Sequence, residues 1–330
     1  MRDAGKIMES NSNPTISVVM PSYNTAKLIA ASLDSALQQS FQDIEIIVVN
    51  DGSPDTADLE KVLAPYLQKI VYIKQENKRA AGARNTAIRR AKGEFLAFLD
   101  SDDVWFPDHL ESQMKLFADD PALDLVYCNC LTFGDPTRTH EFMERCPSSG
   151  PASFDALVVE RCQIPISTVV ARKSALVRAG LFDEGLVRCD DYDMWLRTAF
   201  HGAKIGYSRK VQARLNEGRP GSLGASNARM AEAYWTILEK AKRTLPLTDV
   251  DREIVEKRAA EIRARYLIEE GKLHLRDGQF GKAKELFSEA NAYLRKPKIS
   301  LVLLGLKIAP RATCKLVYLA RRILRLEPAL

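Results

Sequence analysis

This sequence predicts an α/β fold, a mainly parallel sheet flanked by helices, followed by an all-α C-terminal region. Three observations predict it. Up to Leu99, apolar β-branched runs alternate with helix-length segments, the pattern of βαβ units. The runs at Ile16, Ile44 and Phe95 each end in a polar turn rich in Asp, Asn and Ser. Beyond about Ala225 strand signals stop, and Ala, Glu, Arg and Leu dominate from Met230 to Arg295, a helical composition.

The elements follow in order. Met1 to Asn13 is polar, without the apolar core of a signal peptide or membrane anchor, so residues 1–14 are expected to form a disordered tail. Ile16–Met20 reads as a buried strand stopped by Pro21, and Lys27–Gln39 as a helix with Leu28, Ala31, Leu33 and Leu37 apolar. Ile44–Val49 is a second β-branched run, broken by the turn Asn50-Asp51-Gly52-Ser53-Pro54. A helix near Asp58–Leu67, a strand Ile70–Ile73, a helix Ala80–Ala91 and a strand Phe95–Leu99 complete the alternation. Leu123–Cys128 and Ile166–Ala171 are further strands, and Pro107 opens a helix. The domain expectation is a tail at 1–14, a catalytic domain at 15–225 and a helical region at 226–330.

Composition narrows the function. A chain of 330 residues, 46% hydrophobic and 28% charged, has ample core for two domains. Its net charge of +5 is uneven: +9 from Ser226 onward and −4 before it. The acidic part suits a cation site and the basic part an anionic surface. No zinc pattern and no basic–aromatic signature supports nucleic-acid binding. The six cysteines, Cys128, Cys130, Cys146, Cys162, Cys189 and Cys314, form no Cys-x-x-Cys pair, and Cys128 and Cys130 read as strand-end residues; this usage suits reduced thiols in the cytoplasm. The longest apolar run, Ile299–Ile308, is too short to span a bilayer.

The chemistry concentrates at Asp100-Ser101-Asp102-Asp103, where an apolar strand ends in three carboxylates with no basic neighbour. Carboxylate oxygens suit hard cations such as Mg2+ or Mn2+, which in turn bind phosphates. The plainer alternative is that Ser101 or an Asp caps the following helix. In a parallel sheet, Pro21-Ser22-Tyr23-Asn24, Asn50-Asp51-Gly52-Ser53 and the Asp cluster would share one edge, where open α/β sheets bind ligands. There is no Gly-x-Gly-x-x-Gly fingerprint and no Gly-Lys-Ser/Thr phosphate loop. Farther on, Asp190 and Asp191 open an amphipathic helix, with Asp190 a plausible cap and Asp191 at the positive end of the helix dipole. The four histidines, His109, His140, His201 and His274, share no spacing, and His201 reads as a helix end.

Six segments together resemble glycosyltransferase family 2, inverting nucleotide-sugar transferases of GT-A (Rossmann-like) fold. They are Val18–Asn24, Val48–Ser53, Ala83-Arg84-Asn85, Ala91–Phe95, Phe98–Pro107 and Asp190–Arg197, in order within about residues 15–225. The resemblance implies that Pro21, Tyr23 and Asn24 shape the nucleotide pocket and that Asp51 hydrogen-bonds the base, typically uracil. It implies that Arg84 contacts the nucleotide, although a salt bridge on a helix face is the alternative. Asp100 and Asp102 match the family's Asp-x-Asp pair, with Asp102 and Asp103 as ribose and metal contacts, a divalent cation (Mn2+ or Mg2+) as cofactor and Asp191 as catalytic base. The implied partners are a nucleotide-sugar donor and a saccharide or lipid-linked acceptor. Two departures stand out: Asp190 replaces the usual Glu, and Ala213 replaces the usual Tyr before a loop in which Arg214 or Arg219 could meet the diphosphate.

Two other functions compete. A sugar nucleotidyltransferase would need a basic Gly-rich loop after the first strand, and Asn24-Thr25-Ala26 is not one. A non-catalytic scaffold need not keep the Asp cluster and Asp191. A processive synthase would need a Gln-x-x-Arg-Trp motif, which Trp105, Trp195 and Trp235 lack, so single-sugar transfer is expected. In the helical region, Gly271, Ala283, Phe287 and Ala290 fit one tetratricopeptide-like repeat or an ordinary helical hairpin. The tail from Pro297 carries seven basic residues against Glu327, with Leu316, Val317, Leu319, Ile323 and Leu324 as an apolar stripe. Such a helix either packs on the protein or makes peripheral contact with the inner face of a membrane.

Overall fold

The computed structural model describes residues 13–133, 139–216 and 227–316. The chain divides into two compact units, residues 1–219 and 220–330. Val317, Leu319, Ile323, Leu324 and Arg219 lie outside the described residues.

The first unit opens with β1 (Ile16–Ser22), α1 (Ile29–Leu37), β2 (Ile44–Asp51), α2 (Thr56–Leu63), β3 (Val71–Gln75), α3 (Arg79–Arg90) and β4 (Phe95–Phe98). It continues with β5 (Val104–Trp105), α4 (His109–Asp119), β6 (Leu125–Phe133), β7 (His140–Glu141), α5 (Phe142–Arg145) and α6 (Phe154–Val158). It closes with β8 (Val169–Arg172), α7 (Lys173–Arg178), α8 (Asp190–Phe200) and β9 (Ile205–Asn216). One sheet holds all the strands in the order β3-β2-β1-β4-β8-β6-β9-β5, with β7 on β6. β3, β2, β1, β4, β6 and β9 run one way, while β8, β5 and β7 oppose them.

The parallel start follows from sequence. Val18-Val19-Met20 and Ile46-Ile47-Val48-Val49 are apolar on both sides because both faces of the sheet are covered. Val18, Met20, Ile46 and Val48 pack in one core with Ile29, Leu33, Leu59 and Leu63 of α1 and α2. Phe98 packs edge-on against Phe182 and Trp195, with centroids 5.6 and 5.9 Å away, which seats α8. Strand β6 extends past the expected end at Cys128. A register shift at Asn129 bulges it, so Cys128 and Cys130 are buried inside the strand rather than ending it.

The second unit holds α9 (Asn227–Thr244), α10 (Asp249–Arg276), α11 (Phe280–Leu294) and α12 (Pro297–Ile308). Thr248 caps α10, its Oγ1 accepting from the Asp251 N–H at 3.1 Å. Gly278, at φ +75°, makes the turn into α11. Gly271 lets α11 approach α10 closely: a Cβ there would lie 2.7 Å from Phe287. Leu275, Ala283 and Phe287 share one small core and Ala290 another with Leu267, so the residues that suggest a repeat lie at a hairpin contact. No helix among the described residues is long and apolar enough to cross a membrane.

Candidate active site

Parallel strands bring the ends of β1, β2 and β4 to one edge. Short hydrogen bonds then tie their turns together. Ser22 Oγ bonds Thr25 Oγ1 at 2.9 Å, and Thr25 Oγ1 bonds Ser101 Oγ at 2.9 Å, linking the first turn to the acidic one. Asn24 takes a left-handed conformation, φ 55°, that Asn tolerates better than most residues, and its N–H donates to Ser53 Oγ at 2.7 Å. Pro21 is half-buried in β1, and Tyr23 is 49% exposed at the open edge. Asp51 is buried; its Oδ1 accepts from Gln75 Nε2 at 2.7 Å and from the Lys78 N–H at 2.8 Å.

In the acidic turn, the Asp103 N–H donates to the Asp100 carbonyl at 3.0 Å. Ser167 Oγ, just before β8, accepts from the Asp100 N–H at 3.0 Å and donates to Asp103 Oδ2 at 2.5 Å. Asp103 Oδ1 accepts from the Asn216 N–H, at the end of β9, at 2.8 Å. Both oxygens of Asp103 are thus engaged in holding the strand ends, and the residue is buried. Burial pushes its pKa well up, and Asp100 and Asp102 push it further. The metal contact expected of Asp103 is therefore not what its surroundings favour. Asp102 is half-buried, and Asp100 keeps part of its carboxylate exposed. Among the described residues no three His, Cys, Asp or Glu side chains gather into a metal cage. One or two carboxylates plus donor phosphates still suit a hard cation, and Asp102 fits that role, next to an Asp100 whose two oxygens accept from Arg84.

Arg84 connects this edge to α8. Its Nη2 donates to Asp100 Oδ1 at 2.8 Å and Oδ2 at 3.1 Å, and its Nη1 to Asp190 Oδ2 at 2.7 Å. The guanidinium is buried and lies 5.6 Å from the centre of the Phe182 ring. Burial opposes its charge, but Asp100 and Asp190 outweigh that and hold it protonated. Sequence left nucleotide contact and surface salt bridge open for Arg84; the structure gives an interior bridge between two carboxylates. Asp190 is correspondingly not a helix cap. Cys189, at φ 56°, occupies the N-cap position without a side-chain cap bond, and Asp190 turns to Arg84. The helix terminus favours an ionised Asp191, yet burial and then Asp190 override it and carry its pKa up to about 6, with Arg84 opposing. The residue nonetheless remains partly open to solvent, and its Oδ1 accepts from the Tyr192 N–H at 2.8 Å.

Three positioning residues escaped the sequence reading. Asn85 clamps Phe182, donating to its carbonyl at 2.9 Å and accepting from its N–H at 3.0 Å; its place beside Arg84 was the signal. Ser167 and Asn216 offered none, since their roles exist only through tertiary contact. Of the alternatives, His109 is buried and held neutral, its pKa lowered to about 3 by burial, and His201 ends α8 as read. Arg214 stacks 4.9 Å from the centre of the Phe133 ring, and Ala213 is buried in β9 beside Trp105 of β5.

The chain is similar in sequence and in fold to known proteins. Residues 17–174 fit the sequence profile of glycosyl transferase family 2. An uncharacterised glycosyltransferase of Rickettsia typhi is 28% identical over 233 residues, 68% of this chain and 71% of that protein. The Escherichia coli protein WfgD, a UDP-Glc:alpha-D-GlcNAc-diphosphoundecaprenol beta-1,3-glucosyltransferase, is 34% identical over 182 residues, 55% of this chain and 68% of its own. The mannosyltransferase PcManGT of Pyrobaculum calidifontis, solved with GDP-Man and Mn2+, superposes with a TM-score of 0.60 at 21% identity, covering 96% of this chain and 88% of that one. TarS residues 1–349 from S. aureus, solved with UDP-GlcNAc, gives 0.60 at 16% identity over 93% and 91% of the two chains; these two likenesses carry the GT-A fold. With a two-thirds span of WfgD at that identity, the chain belongs to glycosyltransferase family 2 and is a transferase enzyme.

Proposed function

We propose that this chain is a cytoplasmic, inverting transferase that moves one sugar from a UDP-sugar to the hydroxyl of a saccharide on a lipid diphosphate, in cell-surface polysaccharide synthesis. The observation that carries the reading is the Arg84 bridge, which joins Asp100 of the donor edge to Asp190, next to Asp191. The names of WfgD and of WfaP, 32% identical over 191 residues, support the donor and acceptor classes.

Asp51 and Tyr23 would bind the uridine end, with Pro21 and Asn24 fixing the turn beneath it. A divalent cation held by Asp102, with Asp100 beside it, would supply neutralising charge for the departing diphosphate. Asp191 accepts the proton of the acceptor hydroxyl as its oxygen forms the new bond to the anomeric carbon. The bond to the diphosphate breaks on the opposite face, so the configuration inverts. A pKa of about 6 leaves Asp191 ionised at neutral pH while keeping it a competent base. Arg84 offsets the charge of Asp190 and thereby keeps Asp191 from being pushed still higher.

The test incubates the chain with UDP-glucose, UDP-N-acetylglucosamine or GDP-mannose and a GlcNAc-diphosphate lipid, with Mn2+ or with chelator. A β-linked product from an α-configured UDP-sugar, lost on chelation, is expected. An α-linked product refutes inversion, and undiminished transfer in chelator refutes the cation. No transfer from any UDP-sugar overturns the donor assignment.

A further inference from the structure

Outside the active site, α12 is apolar on two opposite faces. Ile299, Val302, Leu303 and Leu306 pack toward α10 and α11. On the other side, Leu301, Leu304 and Ile308 are 68%, 54% and 74% exposed. Spaced by three and four residues, they form one continuous stripe. Lone exposed leucines need no explanation, but an exposed stripe on a helix does.

Charge identifies what covers it. Residues 290–316 hold six basic side chains, Arg295, Lys296, Lys298, Lys307, Arg311 and Lys315, and no acid. All six are exposed, and among the described residues none is ion-paired. This departs from α10 and α11, where Arg258, Arg263, Lys272 and Lys282 pair with glutamates. At 3.6 residues per turn, Lys298 and Lys307 sit about 90° to either side of the stripe. Their aliphatic stems can border an apolar surface while the ammonium groups reach outward. Arg295 rims an open groove of about 690 Å³ whose wall continues through Ser300, Leu301 and Leu304.

We propose that the outward face of α12, with its ring of unpaired cations, is a docking surface for an anionic lipid bilayer. Leucines enter the acyl boundary while lysines and arginines meet lipid phosphates. A protein partner of acidic character would satisfy the cations and leave the stripe unexplained; a bilayer takes both. The helix lies on the membrane and does not cross it. Docking of α12 on a bilayer needs neither donor nor acceptor and is independent of sugar transfer.

The experiment is flotation of the full chain with vesicles of phosphatidylcholine alone or with about one-third phosphatidylglycerol, at low and high salt. Binding to the anionic vesicles about tenfold or more above the neutral ones, weakened by salt, is expected. Leu301→Ser with Leu304→Ser and Ile308→Ser should cut it about tenfold, with thermal midpoint and circular dichroism unchanged because the replaced side chains are exposed. Lys298→Glu with Lys307→Glu should remove the preference for anionic vesicles even if the first variant does not fold. Absence of flotation at low salt overturns the proposal, as does equal binding to both vesicles or wild-type binding by both variants. So does a chain that light scattering finds dimeric, and monomeric in the leucine variant, without floating.

Discussion

The two units place their charges in opposite ways. In the first, the central ion pairs are buried: Arg84 reaches Asp100 and Asp190, on separate elements, and Arg197 holds Asp193, one turn back in α8, at 2.7 Å while donating to the Leu181 carbonyl. In the second, pairs are more exposed, such as Arg263–Glu289 between α10 and α11 and Lys282–Glu285 within α11. Arg258 is buried there, but it too pairs one turn away with Glu261. A buried pair is costly to desolvate and costlier to break, whereas an exposed one adds little. The difference teaches where the fold spends stability on chemistry: charge is taken out of water at the edge where Asp191 sits.

The largest effect should come from the proposed base. Asp191→Asn keeps size and removes the proton-accepting charge, so turnover should fall about 10²–10⁴-fold with donor binding retained. The wild-type kcat/KM should rise with pH through an acid limb near 6. Stability has the opposite sign. A folded pKa of about 6 against the ordinary aspartate value of 3.8 means the native state holds the extra proton, so stability declines as pH rises between those values. Asp191→Asn should therefore unfold no sooner than wild type at pH 7, by urea titration. A variant that is both inactive and markedly less stable would show that Asp191 is structural, and the contrast between the units would lose its meaning.

Breaking the bridge comes next. Arg84→Gln leaves Asp100 and Asp190 without their shared cation and should cost about 3–5 kcal/mol. Adding Asp190→Asn should restore part of that loss, because one stranded charge is removed. Denaturant unfolding of the two variants measures it. A cost below about 1 kcal/mol would make Arg84 equivalent to a surface residue.

Much of this site was legible before the structure, for physical reasons that differ by residue. Strands β1, β2 and β4 are largely buried on both faces, so they read as unbroken apolar runs. The turns after them are written in Asn, Asp, Gly and Pro, whose conformational preferences are local. Strand β9 was not legible: two adjacent exposed cations, Arg209 and Lys210, precede two adjacent buried residues, Gln212 and Ala213, so no period-2 pattern marks it, and its partner β6 bulges at Asn129. Asp103 could not be separated from Asp102 by sequence, since only Ser167 and Asn216, distant along the chain, make it an anchor. Asp190 has the residue type and position of a cap, and only the approach of Arg84 from α3 gives its carboxylate a stronger partner.

The smallest effect is expected in the second unit, and it completes the comparison. Arg263 and Glu289 approach to 2.6 Å, as closely as the bridge at Arg84, yet their side chains are 53% and 45% exposed. Geometry alone would rank the two alike; solvent separates them. Glu289→Gln removes the charge of the pair while leaving Arg263 against the Trp235 ring, 5.5 Å from its centre, so the measured change isolates the ion pair. It should be below about 1 kcal/mol, and smaller at high salt because exposed charges are screened. A cost near that of Arg84→Gln, insensitive to salt, would mean that distance rather than burial sets the worth of these pairs. The buried bridge would then have no special claim as the element that organises the active site.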